Sequence, residues 1–87
     1  MRVYKYNFYP ASHFDVLLPE GAKILKADKQ GDAYCMWALV DIDAKEQVRH
    51  FRWAGTGHDI TEPQENLRHV GTFFDGPYVW HIFEILG

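Results

Sequence analysis

The feature that most constrains the fold of this chain is a succession of short apolar runs, each of which stops at turn-forming residues. Within the runs the apolar residues follow the alternation of strands, and no stretch keeps helical spacing for more than about one turn. Pro, Gly and Asp residues separate the runs and supply ordinary turn chemistry. The pattern predicts seven strands, over residues 2–9, 14–18, 23–27, 34–40, 47–53, 67–74 and 78–86.

Seven short strands in 87 residues predict one all-β domain over residues 1–87, with only minor helical turns. We expect a single compact antiparallel meander, sandwich or small open barrel of about six to seven strands. The first strand ends at Pro10 and is predicted to lie at a sheet edge. Residues 34–40 are apolar on both sides, which is typical of a central strand or of a strand covered on one side by a partner subunit.

Two connections are predicted from local spacing. Residues 34–40 and 47–53 are expected to form a long hairpin, because a short polar segment joins them. Asp43 and Glu46 within that segment, and Thr61 and Gln64 further on, have the spacing of a capping box. This spacing predicts one helical turn at each place.

Charge, cysteine content and length limit the class of protein. Nine Lys and Arg against 12 Asp and Glu give a net charge of −3, which argues against duplex nucleic acid as a partner. Cys35 is the only cysteine, so an intramolecular disulfide is excluded and a reducing cytoplasm is the expected location. The chain contains no apolar run long enough for a membrane span, so we expect no membrane association. At this length any large site is expected to be a surface groove or a subunit interface.

Several sequence motifs occur in a characteristic order along nearly the whole chain. They are LPEGAKIL at residues 18–25, WALVD at 37–41, GTGH at 55–58 and VWHIFE at 79–84. In these motifs the chain resembles a family of small uncharacterised proteins found mainly in tailed bacteriophages, prophages and bacteria. The resemblance implies a compact β domain and a phage or prophage setting, with the host cytoplasm as the location of a phage-encoded protein. It implies no activity, and residues 59–66 match the family pattern least well.

The loop at residues 55–58 is the segment that looks most like a binding site. Its two glycines allow backbone amides to approach a ligand, while a threonine and a histidine supply polar side chains. Arginines and a tryptophan precede it, which together suit a phosphate-bearing base. The alternative interpretation is a tight connection that needs positive φ at glycine and is capped by His58. The predicted ligand-binding residues are Arg49, Arg52, Trp53, Gly55, Thr56, Gly57, His58 and Trp80.

The aromatic content, 14 of 87 residues, is too high for every ring to be buried in so small a domain. One interpretation is that rings lie half-buried with their polar tips in water. The other is a homo-oligomer with a contact patch of aromatic and apolar side chains. The predicted interface residues are Tyr34, Met36, Trp37 and Tyr78.

Other reactive side chains give weaker signals. The alternation of the last strand places His81 beside Val79 and Phe83, which predicts a core histidine with satisfied ring nitrogens. Glu84 is close enough to the strand end to pair with an arginine such as Arg52. The histidines have none of the spacings of a metal site, and we predict no metal and no cofactor. Cys35 lies in the most apolar run, where a thiol stays inert.

These features suggest three functions. The leading hypothesis is a small cytoplasmic binding protein that sequesters a nucleotide-like ligand or inhibits a host defence protein without catalysis. The alternative is a protein-interaction or structural module with no small ligand. A small hydrolase that uses His58 with Asp59 or Glu84 as acid and base is the third possibility.

Overall fold

The alternating apolar pattern is realised as strands along the whole chain in a computed structural model, which describes residues 1–87. One 3-10 turn, Gln64–Asn66, is the only helical element. The all-β prediction is therefore confirmed. The strands are β1 (Arg2–Phe8), β2 (His13–Pro19), β3 (Lys23–Gln30), β4 (Ala33–Val40), β5 (Glu46–Gly55), β6 (Leu67–Asp75) and β7 (Tyr78–Ile85).

The strands form two antiparallel sheets that pack face to face. One sheet has three strands in the order β1-β4-β3, and the other has four in the order β2-β5-β7-β6. Among the predicted alternatives the structure is thus an open sandwich. The expected edge position of β1 and the expected central position of β4 are both observed within the smaller sheet.

The predicted hairpin between the fourth and fifth strands is wrong. β4 pairs with β1 and β3, so both its edges are occupied, and β5 instead pairs with β2 and β7 in the other sheet. The connecting segment is a turn in which Asp41 Oδ1 accepts from the Asp43 amide at 3.0 Å. This local bond competes with a helix, and no helical turn forms at residues 41–46.

The core lies between the sheets and is filled by alternate residues of the strands. Tyr34 and Met36 of β4 point into it, and rings from several strands meet there edge to face. Trp37 and Leu39 of β4 point outward and do not belong to the core cluster. The core residues with the largest fully buried side chains are Phe51, Leu18, Met36, Ile82 and Val40.

Candidate functional site

A groove opens at one end of the four-stranded sheet, between the loop that follows β5 and the hairpin that joins β6 to β7. Its volume is about 680 Å³, which is within the range of small-molecule sites. The lining residues are Gly55, Thr56, His58, Pro77, Tyr78, Val79 and Trp80. The structure therefore brings four of the predicted ligand-binding residues and one predicted interface residue to the same groove.

The loop at residues 55–58 is a tight turn that uses its own amides. The His58 amide donates to the Gly55 carbonyl at 3.0 Å, and Gly57 has φ +88°, as a type II turn requires. The Gly55 amide donates to His58 Nδ1 at 3.1 Å, and the Thr56 amide donates to the Val79 carbonyl at 3.2 Å. These bonds leave three of the four amides with no free hydrogen for a phosphate.

Gly55 also has a steric reason to be glycine. A Cβ atom at this position would lie 2.9 Å from His58 Cε1 and 3.0 Å from the Trp80 ring. The backbone of β5 therefore passes directly beneath these two rings. The alternative interpretation of the loop, a tight connection capped by His58, accounts for its geometry.

Two stacked rings form the aromatic wall of the groove. Tyr78 stacks on Trp80 with ring centroids 5.7 Å apart and an interplanar angle of 23°. Tyr78 is 60% exposed, whereas Trp80 is partly buried and packs against Trp53 of the core at 5.2 Å. The wall is thus a solvent-facing aromatic surface supported from behind by the core, which suits stacking of a planar group.

The two arginines predicted to bind phosphate do not line the groove. Arg49 points between the sheets, where its Nε and Nη2 donate to the Glu84 carboxylate at 2.6 and 2.8 Å. Arg52 points to the outer face, where it donates to the carbonyls of Ser12 and Asp59 at 3.1 and 2.7 Å. Because residues 49 and 52 have opposite parity on a strand, they occupy opposite faces of the sheet. The expected pair of Glu84 with Arg52 is replaced, for the same reason, by Glu84 with Arg49.

Other predicted residues are placed in the interior. Trp53 is 7% exposed in the core, so it cannot stack on a ligand. Met36 is fully buried, and the Tyr34 hydroxyl donates to Asp75 at 2.7 Å between the sheets. Of the four predicted interface residues, Trp37 points away from the core, and Tyr78 is exposed to solvent at the groove.

A hydrogen-bonded chain of hydroxyls and imidazoles runs beside the groove, on the outer face of the sheet. Thr56 Oγ1 lies 2.8 Å from His81 Nε2, and Thr72 Oγ1 lies 3.0 Å from His81 Nδ1. His69 Nε2 extends the chain to the other side of Thr72 at 2.8 Å. The ring nitrogens of His81 are satisfied as predicted, but on the outer face rather than in the core. The pairing of Thr72 with His81 depends on the register of β6 with β7, which no local motif signals.

A carboxylate clamp at the end of β6 joins the two sheets below the hairpin. Asp75 accepts from Lys29 Nζ at 2.8 Å and from the Tyr34 hydroxyl at 2.7 Å. The hydrogen bond from Lys29, followed by that from Tyr34, lowers the pKa of Asp75 below its ordinary value. Asp75 is thus held ionised and already partnered near the aromatic wall.

The structure does not bring Glu84, one of the two carboxylates suggested for acid-base catalysis, to His58. Glu84 is buried against Arg49, while His58 is at the groove with its Nδ1 engaged by the Gly55 amide. No three His, Cys, Asp or Glu side chains are grouped so that they could hold a metal ion. None of the helical structure is long and apolar enough to span a membrane.

Comparison with known proteins gives a family but no activity. No curated protein and no solved structure matches the chain. A domain of unknown function, DUF7352, matches residues 1–86, nearly the full length of the chain. The protein therefore belongs to the DUF7352 family, an uncharacterised domain family.

Proposed function

We propose that the protein is a binding protein without catalysis, and that its groove takes the planar ring of a nucleotide-like ligand. The observation that carries the proposal is the stacked pair of Tyr78 and Trp80 on the wall of the groove. Stacking of a base on an aromatic side chain contributes about 1–3 kcal/mol. Thr56 and His58 at the same groove add polar groups that can bond the edge of the ring.

The ligand is recognised through its ring rather than its phosphate. Arg49 and Arg52 are engaged elsewhere, and the loop amides at residues 55, 56 and 58 are used within the protein. A phosphate group on the ligand would therefore extend into solvent. This predicts that a nucleoside and its phosphorylated forms bind with similar affinity.

The setting we propose comes from the sequence resemblance. A phage- or prophage-encoded protein acting in the host cytoplasm would sequester such a ligand, or inhibit a host defence protein, by simple binding.

A thermal-shift series with nucleosides, nucleotides and cyclic dinucleotides tests the proposal. A ligand at 100 times its Kd stabilises the folded state by about 2.7 kcal/mol, which is readily detected. We expect Tyr78→Ala to abolish the shift and Tyr78→Phe to retain it, because stacking needs the ring and not the hydroxyl. Phe74→Ala is the matched control, since Phe74 is exposed on the same hairpin but outside the groove. A shift unchanged in Tyr78→Ala, or no shift with any compound, would contradict the proposal.

A polypeptide partner is the second candidate, and the exposed tip of the β6–β7 hairpin favours it. Tyr78 is 60% exposed and lines the groove beside Pro77, so an apolar surface faces solvent there. Phe74 has the opposite parity and points to the other face of the hairpin. Aromatic grooves of this kind also take proline-rich segments. If no nucleotide shifts the melting temperature, capture of a defined proline-rich peptide by the protein, lost in Tyr78→Ala but retained in Phe74→Ala, would favour this candidate.

A further inference from the structure

The outer face of the three-stranded sheet carries a tryptophan surrounded by lysines. Trp37 lies on the central strand, and its cross-strand neighbours are Lys5 on β1 and Lys26 on β3. Leu39, the next outward residue of β4, has Lys23 as its neighbour. Cross-strand neighbours share one face of a sheet. We call this surface, formed by Lys5, Lys23, Lys26, Trp37 and Leu39, the Trp37 face.

The Trp37 face is available to a partner. Trp37 is partly exposed and does not belong to the buried core cluster, so its indole is not needed to fill the interior. The three lysines are exposed. A large aromatic ring at the centre of an uncovered sheet therefore offers a flat surface for stacking.

The Trp37 face is positively charged although the chain as a whole carries −3. Lys5 donates to the neutral amide of Gln30 at 2.8 Å and keeps its charge uncompensated. Lys26 pairs with Asp28 at 2.9 Å, but both side chains are solvated and such surface pairs are weak. The lysines and the single carboxylate give this face a net charge of about +2.

We propose that the Trp37 face binds single-stranded nucleic acid. A base stacked on the Trp37 indole would have ammonium groups on both neighbouring strands, where the phosphates on either side of the base would lie. Aromatic rings combined with a basic surface are the usual means of binding single strands without sequence preference. An acidic peptide would complement the charge, but it has no planar ring to stack on the exposed indole. A duplex keeps its bases stacked inside and cannot use the indole.

Fluorescence anisotropy of labelled oligothymidine and oligouridine of about twelve nucleotides tests the proposal. Each phosphate contact contributes about −0.7 to the slope of log affinity against log salt for a single strand. Three lysines therefore predict an affinity about 18-fold lower at about 200 mM salt than at about 50 mM. Lys5→Gln should reduce this ratio to about sevenfold, because one contact is lost. Lys45→Gln removes the same charge from an exposed lysine in the β4–β5 turn and should leave the ratio unchanged.

Trp37→Ala should weaken binding by at least about fivefold, and Trp37→Phe should retain most of it. Should Trp37→Ala not fold by circular dichroism, the exposed Lys5→Gln and Lys23→Gln variants carry the test. The Tyr78→Ala variant should bind as the unmodified protein does, which separates this surface from the groove. Lack of binding at about 50 mM salt, binding unaffected by these substitutions, or equal competition by polyglutamate would each overturn the proposal.

Discussion

Gly71 is constrained by the strand packed against it rather than by its own strand. Gly71 lies in β6, where a Cβ atom would be 2.2 Å from the carbonyl oxygen of Ala27 in β3. The backbone of β3 thus occupies the space that a side chain at position 71 would need. Gly31 differs, because its φ of +59° requires glycine while the space around it is open.

These two glycines predict different costs for the same substitution. We expect Gly71→Ala to lower the free energy of unfolding by about 3 kcal/mol or more, because the Ala27 backbone cannot move without shifting β3. Gly31→Ala should cost only about 1 kcal/mol, the usual penalty for a left-handed residue with a side chain. Urea denaturation of both variants measures the difference. Equal losses would show that the close approach of the sheets at Gly71 can relax.

At the scale of elements, the alternation of β5 determines which partners Arg49 and Arg52 contact. It turns Arg49 toward Glu84 of β7 and Arg52 toward the loop that covers the outer face. The Arg49 and Glu84 side chains are 13% and 5% exposed, so the pair is nearly enclosed between the sheets. Removing one partner of such a pair leaves the other charge buried and uncompensated, which strongly destabilises the folded state.

The enclosed pair predicts a non-additive response to substitution. Glu84→Leu should lower the free energy of unfolding by about 3–5 kcal/mol, since it leaves the Arg49 charge without its partner. The double variant Arg49→Met with Glu84→Leu should recover much of that loss, because apolar side chains of similar size remove both charges. Chemical denaturation of the two single variants and the double variant completes the cycle. An additive loss would contradict the assigned coupling.

At the scale of the whole molecule, two carboxylates tie separate parts of the chain together. Asp75 joins β6 to Lys29 of β3 and Tyr34 of β4, and the same bonds raise the pKa of both partners. Glu62 fixes the loop after β5 to β2, since His13 Nε2 lies 2.7 Å from its carboxylate. The hydrogen bond with His13 is the main cause of the lowered pKa of Glu62.

Both lowered pKa values predict loss of stability in acid. A carboxylate whose pKa is lower in the folded than in the unfolded chain stabilises the folded state. For Asp75 this stabilisation is complete at pH values above the ordinary pKa of 3.8, and it is lost as the pH falls through the pKa of the folded state. The difference in urea midpoint between the unmodified protein and Asp75→Asn should therefore be constant near neutral pH and shrink below about pH 4. The exposed Asp43→Asn is the control and should show no such change. A difference that stays constant down to about pH 2 would contradict the assignment.

The sequence by itself determined the all-β class, all seven strand positions within a few residues, the edge position of β1 and the segment that lines the groove. These follow from local chemistry, namely period-two alternation, turn residues and the glycines of residues 55–58. The tertiary structure alone decided that β4 and β5 belong to different sheets, that Arg49 and Arg52 are engaged away from the groove, and that Thr72 meets His81. These outcomes depend on which strands pair and in what register, and on which face of a sheet is covered. Pairing between distant strands depends on the fit of the whole core, so no short segment encodes it.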